Sequence, residues 1–340
     1  MRRIVTVGPR QVRIEDGPEP VVGPGDALVG VEAVGLCGSD IHFYLGDYPY
    51  VNYPRTQGHE FVGIVEGLGR DATGLEVGQR VAVEPLLPCG TCLPCRRGHR
   101  NCCTRMQTIG VQVDGGLCER IALPAANLFV TGDLPADVAV LSEPLSIAEH
   151  AVARSGRGAG DQIVVFGAGP VGLAILLVAA DRGARVMVVD TLASRLTVAA
   201  SFGAEVCVDA STEDSEAVAA AWTSDEGPVC VFEASGVPAV LERAVRVVGA
   251  SGTIVVVGLS TQPACIPLIS FTRKELNVLG SRNNLGVFGQ AVETVQRHAS
   301  TIGELVTHRY PLERTADALE RLIEHPEETE KVVVMVGQDG

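Results

Sequence analysis

Gln162-Ile163-Val164-Val165-Phe166-Gly167-Ala168-Gly169-Pro170-Val171-Gly172-Leu173-Ala174-Ile175-Leu176-Leu177-Val178-Ala179-Ala180 reads as an apolar strand, a glycine turn and an apolar helix. Gly167, Gly169 and Gly172 follow the order G-x-G-x-x-G, a weak motif alone that gains meaning between a strand and a helix. The first glycine permits a tight turn, the second lets a pyrophosphate approach the backbone, and the third lets the helix pack on its sheet. The phosphates would then face free amides at the positive end of the helix dipole. Asp190 ends the next strand, 23 residues after Gly167. A carboxylate there accepts from a ribose 2′-hydroxyl and repels a 2′-phosphate, which predicts NAD rather than NADP. Pro170, Val171 and Arg195 are grouped with these as cofactor-binding residues. The alternative is a structural glycine turn followed by a strand-end aspartate.

Working outward, Arg185–Asp190, 229–233 and 253–257 are further apolar strands, spaced to leave room for helices. Such strands interleaved with helices imply a parallel sheet covered on both faces, a Rossmann-type, doubly wound α/β domain. Before it the texture differs. Segments 27–34, 61–66 and 80–83 carry the β-branched residues of short strands, with turns at 23–26 and 76–79. This region is all-β and barrel-like. After Gly280 two helices, 287–298 and 315–324, precede a closing strand at 331–336. The uncharged run 163–180 touches transmembrane length, but its glycines and proline split it, so no membrane span is expected. The N-terminus reaches Gly8-Pro9 too early for a secretory segment.

The chain has 340 residues, 46% of them hydrophobic and 20% charged, enough for about two domains with buried cores. Its net charge of −14, with no basic run, disfavours nucleic acid as a partner. Only two lysines accompany 25 arginines, a ratio that reads as genome composition rather than mechanism. Ten cysteines without a signal peptide point to the cytoplasm, where thiols stay reduced.

Cys89, Cys92, Cys95 and Cys103 form Cys-x2-Cys-x2-Cys-x7-Cys. Four thiolates from one short loop can close a tetrahedron around Zn²⁺, and a closed set is structural. A redox relay is the competing reading, and the spacing differs from that of ferredoxin iron–sulfur sites. Cys102, beside the last ligand, is expected to be a bystander.

Three further stretches complete the pattern: Gly35-Leu36-Cys37-Gly38-Ser39-Asp40-Ile41-His42, Gln57-Gly58-His59-Glu60 and Leu141-Ser142-Glu143-Pro144-Leu145-Ser146. Separately each has an ordinary structural reading. Together with the cysteine loop and the glycine turn, and in this order, they resemble the zinc-containing medium-chain alcohol dehydrogenase superfamily along essentially the whole chain. The resemblance implies a GroES-like β-rich catalytic domain over residues 1–147 with both zinc sites. It implies a Rossmann NAD-binding domain over 148–280 and a segment, 281–340, that returns to the first domain. It further implies two zincs per subunit, one catalytic and one structural, and a homodimer or homotetramer.

Carried over by that resemblance, Cys37 and His59 match the catalytic zinc ligands. Glu143 stands where typical alcohol dehydrogenases place a second cysteine, a departure shared with the sorbitol or polyol branch. Glu60 matches the glutamate after the ligand histidine, and the choice between Glu60 and Glu143 as third ligand stays open. Ser39 and His42 fall at the proton-relay positions. Arg282 and Asn283, within Gly280-Ser281-Arg282-Asn283, fall beside the substrate pocket, where an arginine can pair with a carboxylate. Arg282 binding cofactor or capping a strand is the alternative. With Asn101-Cys102-Cys103, Ile109-Gly110-Val111 and Thr307-His308-Arg309-Tyr310-Pro311, this is similar to bacterial galactonate and gulonate dehydrogenases.

The reading is therefore an NAD- and zinc-dependent oxidoreductase acting on a secondary alcohol or ketone of a polyol or sugar acid. L-Threonine dehydrogenase is the same-class alternative. A non-catalytic NAD-binding regulatory protein and a zinc-ribbon interaction module are the alternatives of other classes.

Overall fold

The structure, a computed structural model, describes residues 1–47 and 52–337. The chain folds into two compact units, Met1–Glu143 with Phe288–Gly340, and Pro144–Val287. These limits lie a few residues from the 147/148 and 280/281 boundaries that the family resemblance implied. The change of period marks where helices begin, whereas packing marks where side chains land. Thus Phe288, at the start of the helix Phe288–Arg297, stacks on Phe129 with ring centroids 4.9 Å apart, which ties that helix to the first unit.

The first unit is organised by the strand Asp26–Leu36, whose residues alternate between buried and half-buried before becoming continuously buried at Ala33–Leu36. It pairs antiparallel with three strands: Glu60–Leu68, Arg120–Pro124 and the C-terminal Lys331–Met335. The register sets Val333 opposite Gly35 and Gly35 opposite Glu60. One row across three strands therefore joins the chain's last strand to the segment that carries His59. Val29, Val34, Val81, Val332 and Val334 close the core beneath.

The second unit is a six-stranded parallel sheet in the order 206–209, 185–190, 162–166, 230–233, 253–256, 277–280. Ile163, Val164 and Val165 are wholly buried, as strands covered on both faces must be. Chain order reverses between 162–166 and 230–233, the place where doubly wound sheets take nucleotides. No helix among the described residues is long and apolar enough to cross a membrane.

Candidate active site

Cys37 directly follows the strand Asp26–Leu36 and is the N-cap of the helix Gly38–Leu45. Its sulfur accepts from the Ser39 amide at 3.4 Å, and Asp40 Oδ2 accepts from the Cys37 amide at 3.1 Å, a reciprocal capping box. The cap fixes the sulfur at the sheet end, where His59 enters from the neighbouring strand. Cys37 Sγ lies 3.1 Å from His59 Nε2, and a carboxylate oxygen of Glu60 joins them within 4.8 Å. Tetrahedral zinc bonds to sulfur and imidazole nitrogen would separate those two atoms by about 3.5 Å. The three donors thus fit a zinc ion. Glu143, in the first turn of the helix Ser142–Ser155, stands outside that 4.8 Å set.

Charge behind the donors is dense and buried. His59 Nδ1 lies 3.6 Å from Asp40 Oδ2, ion-pair rather than hydrogen-bond spacing. Burial alone would lower the His59 pKa, but the negative charges of Cys37 and Asp40 outweigh it and hold the imidazole well above the ordinary histidine value. Burial likewise works against the Asp40 carboxylate, yet His59 and the Cys37 amide keep its pKa below the usual range. Glu143 is pushed by burial up to about 7, against the pull of His59.

Lys331, buried at the start of the last strand, donates to Glu60 Oε2 at 2.6 Å and to the Leu36 carbonyl at 3.4 Å. Burial disfavours its ammonium, but Glu60 and then Cys37 more than restore it, leaving the pKa above that of an ordinary lysine. The composition reading missed this residue. The other lysine, Lys274, donates to the carbonyls of Val245, Arg246 and Val248. Both lysines therefore occupy places for a compact ammonium with several acceptors. Asp40 was missed as well, although its spacing from Cys37 is that of a capping box.

Of the relay positions, Ser39 Oγ is 2.8 Å from Cys37 Sγ, and His42 is exposed with Nδ1 3.0 Å from Asp47 Oδ1. Three residues apart on one helix, they share a face.

The second donor set is local. Cys92 Sγ lies 3.3 Å from Cys95 Sγ and 3.8 Å from Cys103 Sγ, and all four sulfurs lie within 4.8 Å of one another. A tetrahedron of about 2.3 Å zinc–sulfur bonds has edges of about 3.8 Å, so this set also fits zinc. Backbone amides donate to the sulfurs, from Cys92 to Cys89 at 3.4 Å and from Arg105 to Cys103 at 3.3 Å. Amides of Thr91 and Cys92 hold the Cys89 thiol down at about 5, while burial and neighbouring sulfurs push Cys95 up to about 12. Cys102 is exposed and outside the set.

In the second unit, Gly167 has φ +98°, a conformation that favours glycine. A Cβ on Gly172 would stand 1.8 Å from the Gly167 carbonyl oxygen, so the helix Pro170–Asp181 can pack this closely only with glycine there. No side chain caps that helix, and Pro170 opens it. The nearest neighbour of a Cβ on Gly169 would be Arg195 Nη1 at 4.0 Å, leaving room for an anion between amides and a guanidinium. Asp190 accepts from the amides of Ala168, Thr191 and Leu192 at 2.7, 2.7 and 2.9 Å. A carboxylate has about four acceptor sites, so one remains for a ribose hydroxyl. These residues fit a dinucleotide. Arg282 and Asn283 follow the edge strand Asn277–Gly280, Asn283 in the left-handed region at φ +48°.

The profile of an alcohol dehydrogenase GroES-like domain matches residues 23–133, and that of a zinc-binding dehydrogenase matches 170–297. The chain belongs to the zinc-binding alcohol dehydrogenase family. Among its relatives in that family, L-galactonate-5-dehydrogenase of Escherichia coli is 33% identical over 98% of each chain. Sorbitol dehydrogenase of Bacillus subtilis is 33% identical over 98% of this chain and 97% of its own. An alcohol dehydrogenase (RspB) of E. coli CFT073, solved with NADH, superimposes with a TM-score of 0.92 at 31% identity, covering 98% of this chain and 99% of its own. As a zinc-binding dehydrogenase, the chain is an oxidoreductase.

Proposed function

We propose that this zinc-binding dehydrogenase oxidises a secondary alcohol of a polyol or sugar acid with NAD, or reduces the corresponding ketone. The observation that carries the proposal is the convergence of Cys37, His59 and Glu60 within 4.8 Å. The similarity to a galactonate and a sorbitol dehydrogenase supports the substrate class.

Bound zinc supplies a Lewis acid that eases ionisation of a substrate hydroxyl, and NAD supplies the hydride acceptor. Cys37, His59 and one or both of Glu60 and Glu143 hold the metal. Asp40 fixes both Cys37 and His59 in place. The Ser39 hydroxyl takes the substrate proton and passes it toward His42, whose exposed imidazole, steadied by Asp47, releases it to water. Cys89, Cys92, Cys95 and Cys103 hold a second zinc with no chemical duty. Gly167, Gly169, Pro170, Val171, Gly172 and Arg195 receive the pyrophosphate, and Asp190 the adenosine ribose. Arg282 and Asn283 meet the substrate, the guanidinium pairing with a carboxylate when the substrate is a sugar acid.

The enzyme works in the cytoplasm, consistent with the free state of its cysteines. It assembles as a homodimer or homotetramer. Support comes from the edge strand Asn277–Gly280, paired on one side only among the described residues, with exposed Leu268, Ile269 and Val278 nearby in sequence. A solution mass near 36 kDa by light scattering would overturn that assembly. For the reaction, NADH formation is followed over polyols, aldonates and threonine while zinc is counted on the same sample. Turnover on polyols or aldonates with about two zincs per chain is expected. Turnover on threonine alone would replace the substrate class, and inertness with one zinc would favour a non-catalytic NAD-binding protein.

A further inference from the structure

Behind the Cys37–His59 pair runs a chain of polar side chains with almost no access to solvent. Thr6 and Asp40 are each 2% exposed, and Gln57 between them is 1% exposed. The Thr6 hydroxyl donates to Gln57 Oε1 at 2.6 Å, and Gln57 Nε2 donates to the Asp40 carbonyl at 3.0 Å and to Asp40 Oδ1 at 3.4 Å. A backbone carbonyl can only accept, so the amide nitrogen must face Asp40 and the amide oxygen must face Thr6. The backbone holds both ends of the chain. Thr6 and Arg55 exchange amide–carbonyl bonds at 2.8 and 3.0 Å, and the Leu117 amide donates to the Gln57 carbonyl at 3.0 Å.

Gly58, between Gln57 and His59, has φ +95°, and a Cβ there would stand 2.7 Å from Val34 Cγ1. That turn lets the residues on its two sides meet the two oxygens of one carboxylate. Asp40 Oδ1 takes the Gln57 amide, while Oδ2 takes the Cys37 amide at 3.1 Å and faces His59 Nδ1 at 3.6 Å. His59 Nδ1 makes no hydrogen bond, so the ring's orientation depends on where Oδ2 is held. A carboxylate rotates readily about its last side-chain bond, and donors on both oxygens remove that freedom.

Resting on the dehydrogenase reading above, we infer that Gln57, oriented by Thr6, is a positioning residue that locks the Asp40 carboxylate, so that His59 turns Nδ1 toward Oδ2 and keeps Nε2 as the zinc donor. The N-terminal strand Arg2–Gly8 thereby supports the metal site through one hydroxyl and one amide, touching neither metal nor substrate. A leucine of similar size at position 57 would remove two donors from Asp40 and leave the buried Thr6 hydroxyl without this acceptor.

The test compares wild type, Gln57→Leu, Asp40→Asn, the double variant Gln57→Leu/Asp40→Asn and Thr6→Val. Three quantities are read: zinc affinity of the catalytic set by chelator competition, the visible spectrum with Co²⁺ in that set and zinc left in the cysteine loop, and steady-state kinetics. Gln57→Leu should weaken catalytic zinc by about tenfold, the lower end of the scale for groups that orient a ligand, and shift the cobalt bands. Its kcat should fall by a similar factor, with KM for NAD and the affinity of the cysteine loop unchanged. Asp40→Asn should cost up to about 100-fold. Adding Gln57→Leu to it should cost less than about twofold more, because the two act as one unit. Thr6→Val keeps the volume and the amide's donors but frees the amide to turn, so affinity and spectrum should move the same way by less. Gln57→Leu that lowers only the thermal midpoint, or losses that multiply in the double variant, would make Gln57 a core residue and overturn the role. If Gln57→Leu does not fold, Thr6→Val decides, and an unchanged affinity and cobalt spectrum there would overturn it. If the wild type is inert on every alcohol, the dehydrogenase reading fails, whereas zinc affinity and the cobalt spectra still decide the role of Gln57.

Discussion

Between Cys89 and Cys103 one loop gathers four sulfurs, and the groups that tune them are mostly amides of the same loop. Cys37, His59 and Glu60 instead come from a helix cap and a strand start, and the groups behind them, Asp40 and Lys331, are buried side chains. Each set has a cation beside it. Arg105, exposed, reaches Cys89 Sγ at 3.5 Å and Thr91 Oγ1 at 2.6 Å, whereas Lys331 is buried against Glu60. A closed set of like donors needs only its metal to be stable. An open set of unlike donors needs a surrounding frame that decides which donor binds and which position stays free.

That difference can be broken first by removing one sulfur from each set. Cys37→Ser should lose one zinc and about a thousandfold or more in kcat, the worth of a Lewis acid of several kcal/mol. NAD affinity and thermal midpoint should be nearly unchanged by titration and calorimetry. Loss of both zincs from this variant would deny the independence of the two sets. Cys95→Ser should do the reverse, lowering the thermal midpoint by something of the order of 10 °C while molecules that stay folded keep their turnover.

Acid should sharpen the contrast. Glu143, at about 7, takes up a proton as pH falls through neutrality, and that proton competes with the metal. In the loop Cys89, held at about 5, remains a thiolate over the same range, while Cys92, at about 7, takes up a proton and Cys95, at about 12, already carries one. Between pH 8 and 6 zinc affinity should therefore weaken in both sets, by about tenfold per pH unit for each competing proton, and the closed four-sulfur set, with no position open to water, should keep its zinc longer. Metal analysis of dialysed samples across that range reads the order of release; the four-sulfur zinc leaving first would overturn that order. The smallest effect is expected at Arg105→Ala, which should leave the denaturant midpoint nearly unchanged, because the guanidinium is solvated. A larger loss would mean that the loop needs its cation as much as the buried site does.

The readable parts of the sequence are those whose partners are near in the chain. The glycine turn at 167–172, Asp190 at a strand end and the cysteine loop are contiguous or periodic, so spacing alone carries their chemistry. Cys37, His59 and Glu143 say little singly and became legible through a family likeness. The unit limits at Glu143 and Phe288 differ by a few residues from those the family resemblance implied, because Phe288 is placed by its stacking on Phe129 rather than by any break in composition.

By itself the sequence determined a parallel nucleotide-binding sheet, a four-thiolate loop and the family, since backbone geometry, dipoles and metal spacing act over a few residues. The tertiary structure alone decided that Lys331 faces Glu60 and that Asp40 stands behind His59. Those pairings follow from strand order and register, in which Val333, Gly35 and Glu60 fall in one row. The strength of a buried charge pair depends on the exclusion of water by everything packed around it, a property that no local stretch of sequence carries.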